Sequence, residues 1–156
     1  MLKRALRVSL IPDAAVAQVM AAGEVNAVIV GADRVAQNGD VINKVGTYPL
    51  ALMAREYGVP FHALVQDPRS LERGIDVPIE ERPVAELLKF QGQSITVVDD
   101  PVLNARYPSF DVTPARLVTH LIGLDDLYTP ETFRRKYQMR GNARSGKGKR
   151  TTENIF

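Results

Sequence analysis

A short run of β-branched residues, Val28-Ile29-Val30, gives way abruptly to Gly31-Ala32-Asp33-Arg34. A run apolar at every position, without polar alternation, suits a parallel strand covered on both faces. Parallel strands need crossover connections, so the chain around this one must supply helices. Residues 6–11 (LRVSLI) read as a preceding strand. Pro12-Asp13 then opens a helix, with Asp13 as N-cap, residues 14–22 as helix formers and Gly23 as its end. Residues 25–30 form the next strand. Residues 47–57 read as a helix with Thr47 as a possible cap, Pro49 in the first turn and Gly58 as the stop. Residues 61–65, after Pro60, form a third strand. This βαβαβ alternation predicts the α/β class, a three-layer, mostly parallel sheet with right-handed crossovers.

In open α/β sheets ligands bind outside the carboxyl ends of the strands, which is where Asp33 falls. Asn38-Gly39-Asp40 supplies a turn, and Asn43-Lys44 precedes Gly46-Thr47 at the start of a helix. A carboxylate, an amide and an ammonium thus converge within a short stretch. The same spacing also suits a solvated loop with an ordinary surface charge pair, and spacing leaves both readings open.

Residues 66–82 form a long polar loop broken by Pro68, Gly74 and Pro78. A loop of that length in a compact domain is usually functional or an interface element. A short helix is expected over residues 83–90, and a strand over 95–98, ending at the turn Asp99-Asp100-Pro101. Residues 109–114 lead into a helix over 115–122, with Thr113 as a possible cap. Thr129-Pro130-Glu131 opens a last helix through Tyr137. Residues 138–156 are basic, nearly free of apolar side chains, and read as disordered. The division is therefore a domain over 1–137 and a tail over 138–156.

The chain's 156 residues suffice for one domain with its own core. No apolar run is long enough for a membrane span, and no small-residue cleavage site follows the basic start. With no cysteine, disulfides, thiolate metal ligands and cysteine nucleophiles are excluded, which fits a cytoplasmic protein. The net charge of +2 hides a split. Residues 134–156 carry eight Lys/Arg against one Glu, so the body is acidic and any polyanion binding must rest on the tail. Residues 141–147 (GNARSGK) have P-loop spacing, but Gly148 stands where a magnesium-holding Ser or Thr belongs and no strand precedes. His62 and His120 lack a third ligand at metal spacing, and His62 reads as a strand residue facing a neighbour. Asp99-Asp100 before Pro101 reads as a turn, and Glu80-Glu81-Arg82, by spacing alone, as a surface charge run.

Several segments together resemble the methylthioribose-1-phosphate isomerase family, which is related to ribose-1,5-bisphosphate isomerases and to regulatory subunits of eukaryotic initiation factor 2B. They are Gly31-Ala32-Asp33-Arg34, Asn38-Gly39-Asp40, residues 43–48 (NKVGTY), Val59-Pro60-Phe61, residues 77–82 (VPIEER) and residues 109–114 (SFDVTP), in the right order with the right gaps. The resemblance runs from about Val8 to Ile122. It implies a Rossmann-like fold and an aldose-to-ketose isomerase of methionine salvage, converting 5-methylthioribose 1-phosphate to 5-methylthioribulose 1-phosphate without metal or organic cofactor. It maps an acid/base role onto Asp33 and substrate contacts onto Asn43 and Lys44. Opening a 1-phosphorylated sugar and shifting hydrogen between C2 and C1 require a positioned proton donor and acceptor, and a lysine suits a phosphate or a developing oxyanion.

The chain also departs from the family pattern. The family's N-terminal helical domain, its catalytic cysteine and its phosphate-holding arginines have no counterpart here. The resemblance therefore implies an incomplete fold. Three accounts follow: a segment completed by another polypeptide, an inactive product, or a binding subunit like those of the initiation factor. A sheet lacking neighbours would expose an edge and an apolar face, so an oligomer or a complementary N-terminal chain is expected. The basic tail, outside the resemblance, is expected to bind nucleic acid weakly at most.

Overall fold

The structure is a computed structural model that describes residues 7–94 and 105–145. The strands are β1 (Val28–Val30), β2 (Arg34–Val35), β3 (Val41–Lys44), β4 (Phe61–Leu64), β5 (Lys89–Phe90), β6 (Gln93–Ser94), β7 (Phe110–Thr113), β8 (His120–Ile122) and β9 (Leu127–Tyr128). The helices are α1 (Val16–Ala21), α2 (Thr47–Glu56) and α3 (Pro130–Ser145). The main sheet has the order β1-β4-β8-β9; β1, β4 and β8 run parallel and β9 returns antiparallel. The α/β class with a mostly parallel sheet is as expected. A second antiparallel sheet, β2-β3-β7, stands at the carboxyl end of β1, and β5 and β6 form a hairpin.

Register divides the main sheet into two faces. Val28 pairs with Phe61, and Val30 with Ala63, which in turn pairs with Leu121 and so with Tyr128. These side chains face the core, where α1, α2 and α3 contribute Met20, Ala51, Ala54, Phe133 and Tyr137. The small residues of α2 let its backbone approach the sheet closely. Phe133 is edge-on to Tyr128, with ring centroids 5.6 Å apart, a favoured aromatic geometry.

Several expectations need correction. Residues 7–12 form no strand: Val8 and Leu10 are exposed, and among the described residues no neighbour pairs with them. Asp13 does not cap α1; it lies inside a 3-10 turn, Asp13–Ala15, that leads into the helix. Gly46, not Thr47, precedes α2, because φ there is +108°, a region that suits glycine. The loop after β1 holds the β2–β3 hairpin, which strands this short gave no periodicity to reveal.

Residues 83–90 contain only the 3-10 turn Val84–Glu86 before β5. The helix expected over 115–122 is the 3-10 turn Ala115–Leu117 followed by β8. An apolar stretch of that length fits either state, and pairing with β4 decides for strand. The last helix runs to Ser145 rather than ending at Tyr137. Gly141–Ser145, the described part of the stretch with P-loop spacing, is helical. The strand expected at 95–98 and the turn Asp99-Asp100-Pro101 lie outside the described residues, as does the chain from Gly146 onward.

Candidate functional site

Asp33 follows β1 and precedes β2, and its N–H donates to the Ile42 carbonyl at 3.0 Å. The antiparallel ladder pairs Arg34 with Ile42 and Val35 with Val41, and Asp33 stands just before its first pair with its amide on the carbonyl of that same Ile42, the residue before Asn43. β3 in turn pairs with β7, with Asn43 opposite Asp111 and Lys44 opposite Phe110. Residues directly opposite share a face, so Asn43 and Asp111 lie side by side on one face of this sheet. The hairpin thus ties Asp33 by a backbone hydrogen bond to the strand that carries Asn43 and Lys44.

The side chains do not all enter one cavity. Asp33 is exposed and forms an ion pair with Arg34, Nε to Oδ2 3.5 Å. With Arg34 it lines a cleft of about 630 Å³ closed by Gln66, Asp67, Arg69 and Ser70 of the long loop after β4. That loop is built into the site. Gln37 Nε2 donates to the Arg69 carbonyl at 3.1 Å, and the Gln37 N–H to the Leu71 carbonyl at 2.8 Å. Lys44 lines a separate cleft of about 450 Å³ between α1 and the start of α2. Its Nζ lies 5.0 Å from the Phe110 ring centroid, within cation–π range. Asn43 Nδ2 donates to Thr47 Oγ1 at 3.1 Å, and Thr47 Oγ1 donates to the Lys44 carbonyl at 2.7 Å. The amide is thereby held by the first turn of α2.

Two aspartates whose roles the sequence reading missed organise this region. Asp111 Oδ2 accepts from the amides of Gly46 and Tyr48 at 2.8 and 3.0 Å, satisfying donors that a helix start leaves open. Its other oxygen is buried without a hydrogen-bond partner. Burial pushes the Asp111 carboxyl above the usual carboxylate range, while the amides of Tyr48, Gly46 and Thr47 pull it down. Asp40 joins three segments. Its Oδ2 accepts from Asn38 Nδ2 at 2.8 Å and the Gly74 amide at 3.1 Å, and its Oδ1 accepts from the Ala115 amide at 2.9 Å. Both aspartates lay inside motifs, but their partners are distant in sequence, so spacing carried no signal of the contacts.

The Glu80-Glu81-Arg82 run is more than a charged surface. The Ser109 amide donates to the Glu80 carbonyl and the Arg82 amide to the Tyr107 carbonyl, both at 2.8 Å. Glu81 accepts from the Tyr107 amide at 2.9 Å and pairs with Arg106. His62 faces His120 across β4 and β8, their rings stacked with centroids 5.3 Å apart. Among the described residues no three His, Asp or Glu side chains cluster as a metal site. No helix among them is long and apolar enough to cross a membrane.

A family model described as the initiation factor 2 subunit family matches residues 1–123. The chain belongs to the initiation factor 2 subunit family. Within it, methylthioribose-1-phosphate isomerase of Anaeromyxobacter sp. is 47% identical over 120 residues, covering 74% of this chain and 34% of that protein. The Thermus thermophilus protein of the same name is 45% identical over 124 residues, covering 77% and 36%.

The solved 5-methylthioribose 1-phosphate isomerase of Pyrococcus horikoshii superposes with TM-score 0.76 at 42% identity, covering 88% of this chain and 38% of that one. The delta subunit of translation initiation factor eIF-2B from A. fulgidus superposes with TM-score 0.70 at 37% identity, covering 78% and 35%. The chain therefore spans about a third of the length of the family members it matches.

Proposed function

We propose that this chain is the sugar-phosphate-handling segment of an aldose-to-ketose isomerase of methionine salvage, acting on 5-methylthioribose 1-phosphate. The observation that carries the reading is the placement of Asp33 at the carboxyl end of β1, exposed in a cleft, with its amide tied to β3 at Ile42, the residue before Asn43 and Lys44. In this reading Asp33 transfers a proton to or from a sugar oxygen during ring opening and the C2-to-C1 hydrogen shift. Its exposure leaves room for a substrate in the cleft. Asn43, held by Thr47, orients the substrate through its amide. Lys44 supplies a compact positive charge to a phosphate or a developing oxyanion.

Since Asp33 and Lys44 line separate clefts, the substrate must bridge them or a further segment must close the space between. The likeness to the initiation factor subunit favours a second reading, a binding subunit that retains the fold without turnover.

The deciding experiment is an assay for 5-methylthioribose 1-phosphate turnover. It is run on the chain alone and with the part of the Pyrococcus horikoshii isomerase that lies outside the matched region. Turnover in the mixture that disappears with Asp33→Asn supports the isomerase. A stable mixture without turnover, or turnover indifferent to Asp33→Asn, overturns it and leaves the binding-subunit reading.

A further inference from the structure

The loop that closes the Asp33 cleft is shared between two cavities. Gln66 and Asp67 line that cleft and also a second one of about 440 Å³, at the carboxyl ends of β4 and β8, whose far side is built by Tyr128, Phe133 and Tyr137. The loop leaves β4 at Val65, whose N–H donates to the Ile122 carbonyl at 2.9 Å. Further on it turns, the Leu71 N–H donating to the Pro68 carbonyl at 3.2 Å, and Arg69 takes φ +52°. A left-handed φ at a residue other than glycine costs energy and persists where surrounding contacts hold it. The β2–β3 turn holds this stretch from one side, through Gln37 on the Arg69 and Leu71 carbonyls. From the other side the Tyr137 hydroxyl donates to Asp67 Oδ1.

Tyr137 is a fixed post. Its ring is buried and tilted against Phe133, centroids 4.7 Å apart, and Phe133 belongs to the core. The neighbouring Lys136 ammonium lies 4.6 Å from the Tyr128 ring centroid and 5.4 Å from that of Tyr137, and donates to the Tyr128 hydroxyl and to Asp125. At the head of α3 the Thr132 N–H donates to Thr129 Oγ1 at 3.2 Å. The helix is thus anchored on β9 and on the core before it reaches the loop. It lies beyond residues 1–123, the part that the family model matches.

We infer that α3 straps the wall of the Asp33 cleft, with Tyr137 as a positioning residue that acts through Asp67. This rests on the reading of that cleft as the substrate site. The hydroxyl fixes one carboxylate oxygen, and the backbone that carries Asp67 goes on to place Arg69 and Ser70 at the cleft. Hydrogen bonds to a carboxylate are among the stronger ones. Without this one the wall can shift, and a shift of about 1 Å is enough to weaken the hold on a substrate. Tyr137 lines the second cleft and not the first, so it acts on a substrate beside Asp33 without touching it.

The test compares Tyr137→Phe with the native full chain. The change keeps the ring on Phe133 and removes the hydroxyl. Amide hydrogen exchange at Gln37 and Leu71, whose N–H groups hold the loop turn, should quicken by about threefold or more, while exchange in β4 and β8 stays as it was. Asp67→Asn keeps an oxygen for the hydroxyl and should exchange as the native chain does. Asp67→Ala should match Tyr137→Phe, and the double variant should be no faster than either single one. Arg134→Ala, on the exposed side of α3, should change nothing. In the assembled enzyme, Tyr137→Phe should raise KM for 5-methylthioribose 1-phosphate about threefold to tenfold with kcat nearly constant. Unchanged exchange at Gln37 and Leu71, faster exchange throughout the sheet, additive effects of the two changes, or an unchanged KM overturns the inference. If the mixture shows no turnover at all, the isomerase reading falls by itself, and local quickening that Asp67→Asn does not share still decides for the strap.

Discussion

Asp111 and Tyr48 lie 63 positions apart in sequence, yet the carboxylate of one accepts the amide of the other at 3.0 Å. With the Gly46 amide on the same oxygen, this ties β7 to the first turn of α2. Asp111→Ala removes an acceptor that serves two helix-start amides. We expect a loss of about 1–2 kcal/mol in urea denaturation, the size of a lost N-cap. A loss of a few tenths would show that water replaces the carboxylate.

The same residue makes a pH prediction. Burial raises the folded-state value of Asp111, so the folded chain binds the proton more tightly than the unfolded chain does. Its contribution is fully present below the ordinary carboxylate value and is lost as pH rises through the raised one. Asp111→Asn keeps an oxygen for both amides but cannot ionise. The native chain should therefore lose stability relative to the Asn variant as pH rises from below the ordinary carboxylate value to well above it. Urea midpoints measured across that range check the sign, and a difference of the opposite slope refutes it.

Glycines at three positions should rank by what a Cβ meets. At Gly74 an added Cβ comes within 2.7 Å of Asp40 Cβ and Val112 Cγ1, so Gly74→Ala should cost about 1–3 kcal/mol and loosen the Asp40 junction. At Gly39 φ is +90° and the Cβ would lie 3.2 Å from Pro130 Cβ, adding crowding to backbone strain. Gly58, with φ +67° and open space, carries strain alone, roughly 1 kcal/mol. Thermal midpoints for the three alanine variants should fall in that order, Gly74 lowest.

Asp33 touches little that the fold depends on, so Asp33→Asn should leave urea denaturation unchanged within about 0.5 kcal/mol. In the assembled enzyme the same change should lower kcat by about a hundredfold to ten-thousandfold, the worth of a general acid/base. Equal kcat would remove the carboxylate from the mechanism.

Lys44→Met keeps the stem over Phe110 and deletes the charge. If the ammonium holds phosphate in both ground and transition states, KM rises with kcat nearly constant; if it meets a developing oxyanion, kcat falls instead. Steady-state kinetics distinguish the two, and no change in either parameter rejects a substrate role for Lys44.

Local chemistry made β1, α2 and β4 legible in the sequence. A β-branched run, a glycine at a left-handed φ and a proline in a first turn each bias a few neighbouring residues, whatever lies elsewhere. The change from Val30 to Gly31 likewise marked where a site should sit, and Asp33, Asn43 and Lys44 stood out because they are polar residues crowded at a strand end. What those residues could not reveal is which atoms they meet. The β2–β3 hairpin, which ties Asp33 to the strand carrying Asn43 and Lys44, is too short for periodicity. The state of residues 120–122 depended on a vacant place beside β4. Asp111 and Asp40 acquired partners only when chain segments far apart in sequence came together. Strand pairing and the pairing of buried polar groups are long-range, and residues 7–11, with a strand's pattern, pair with no strand among the described residues.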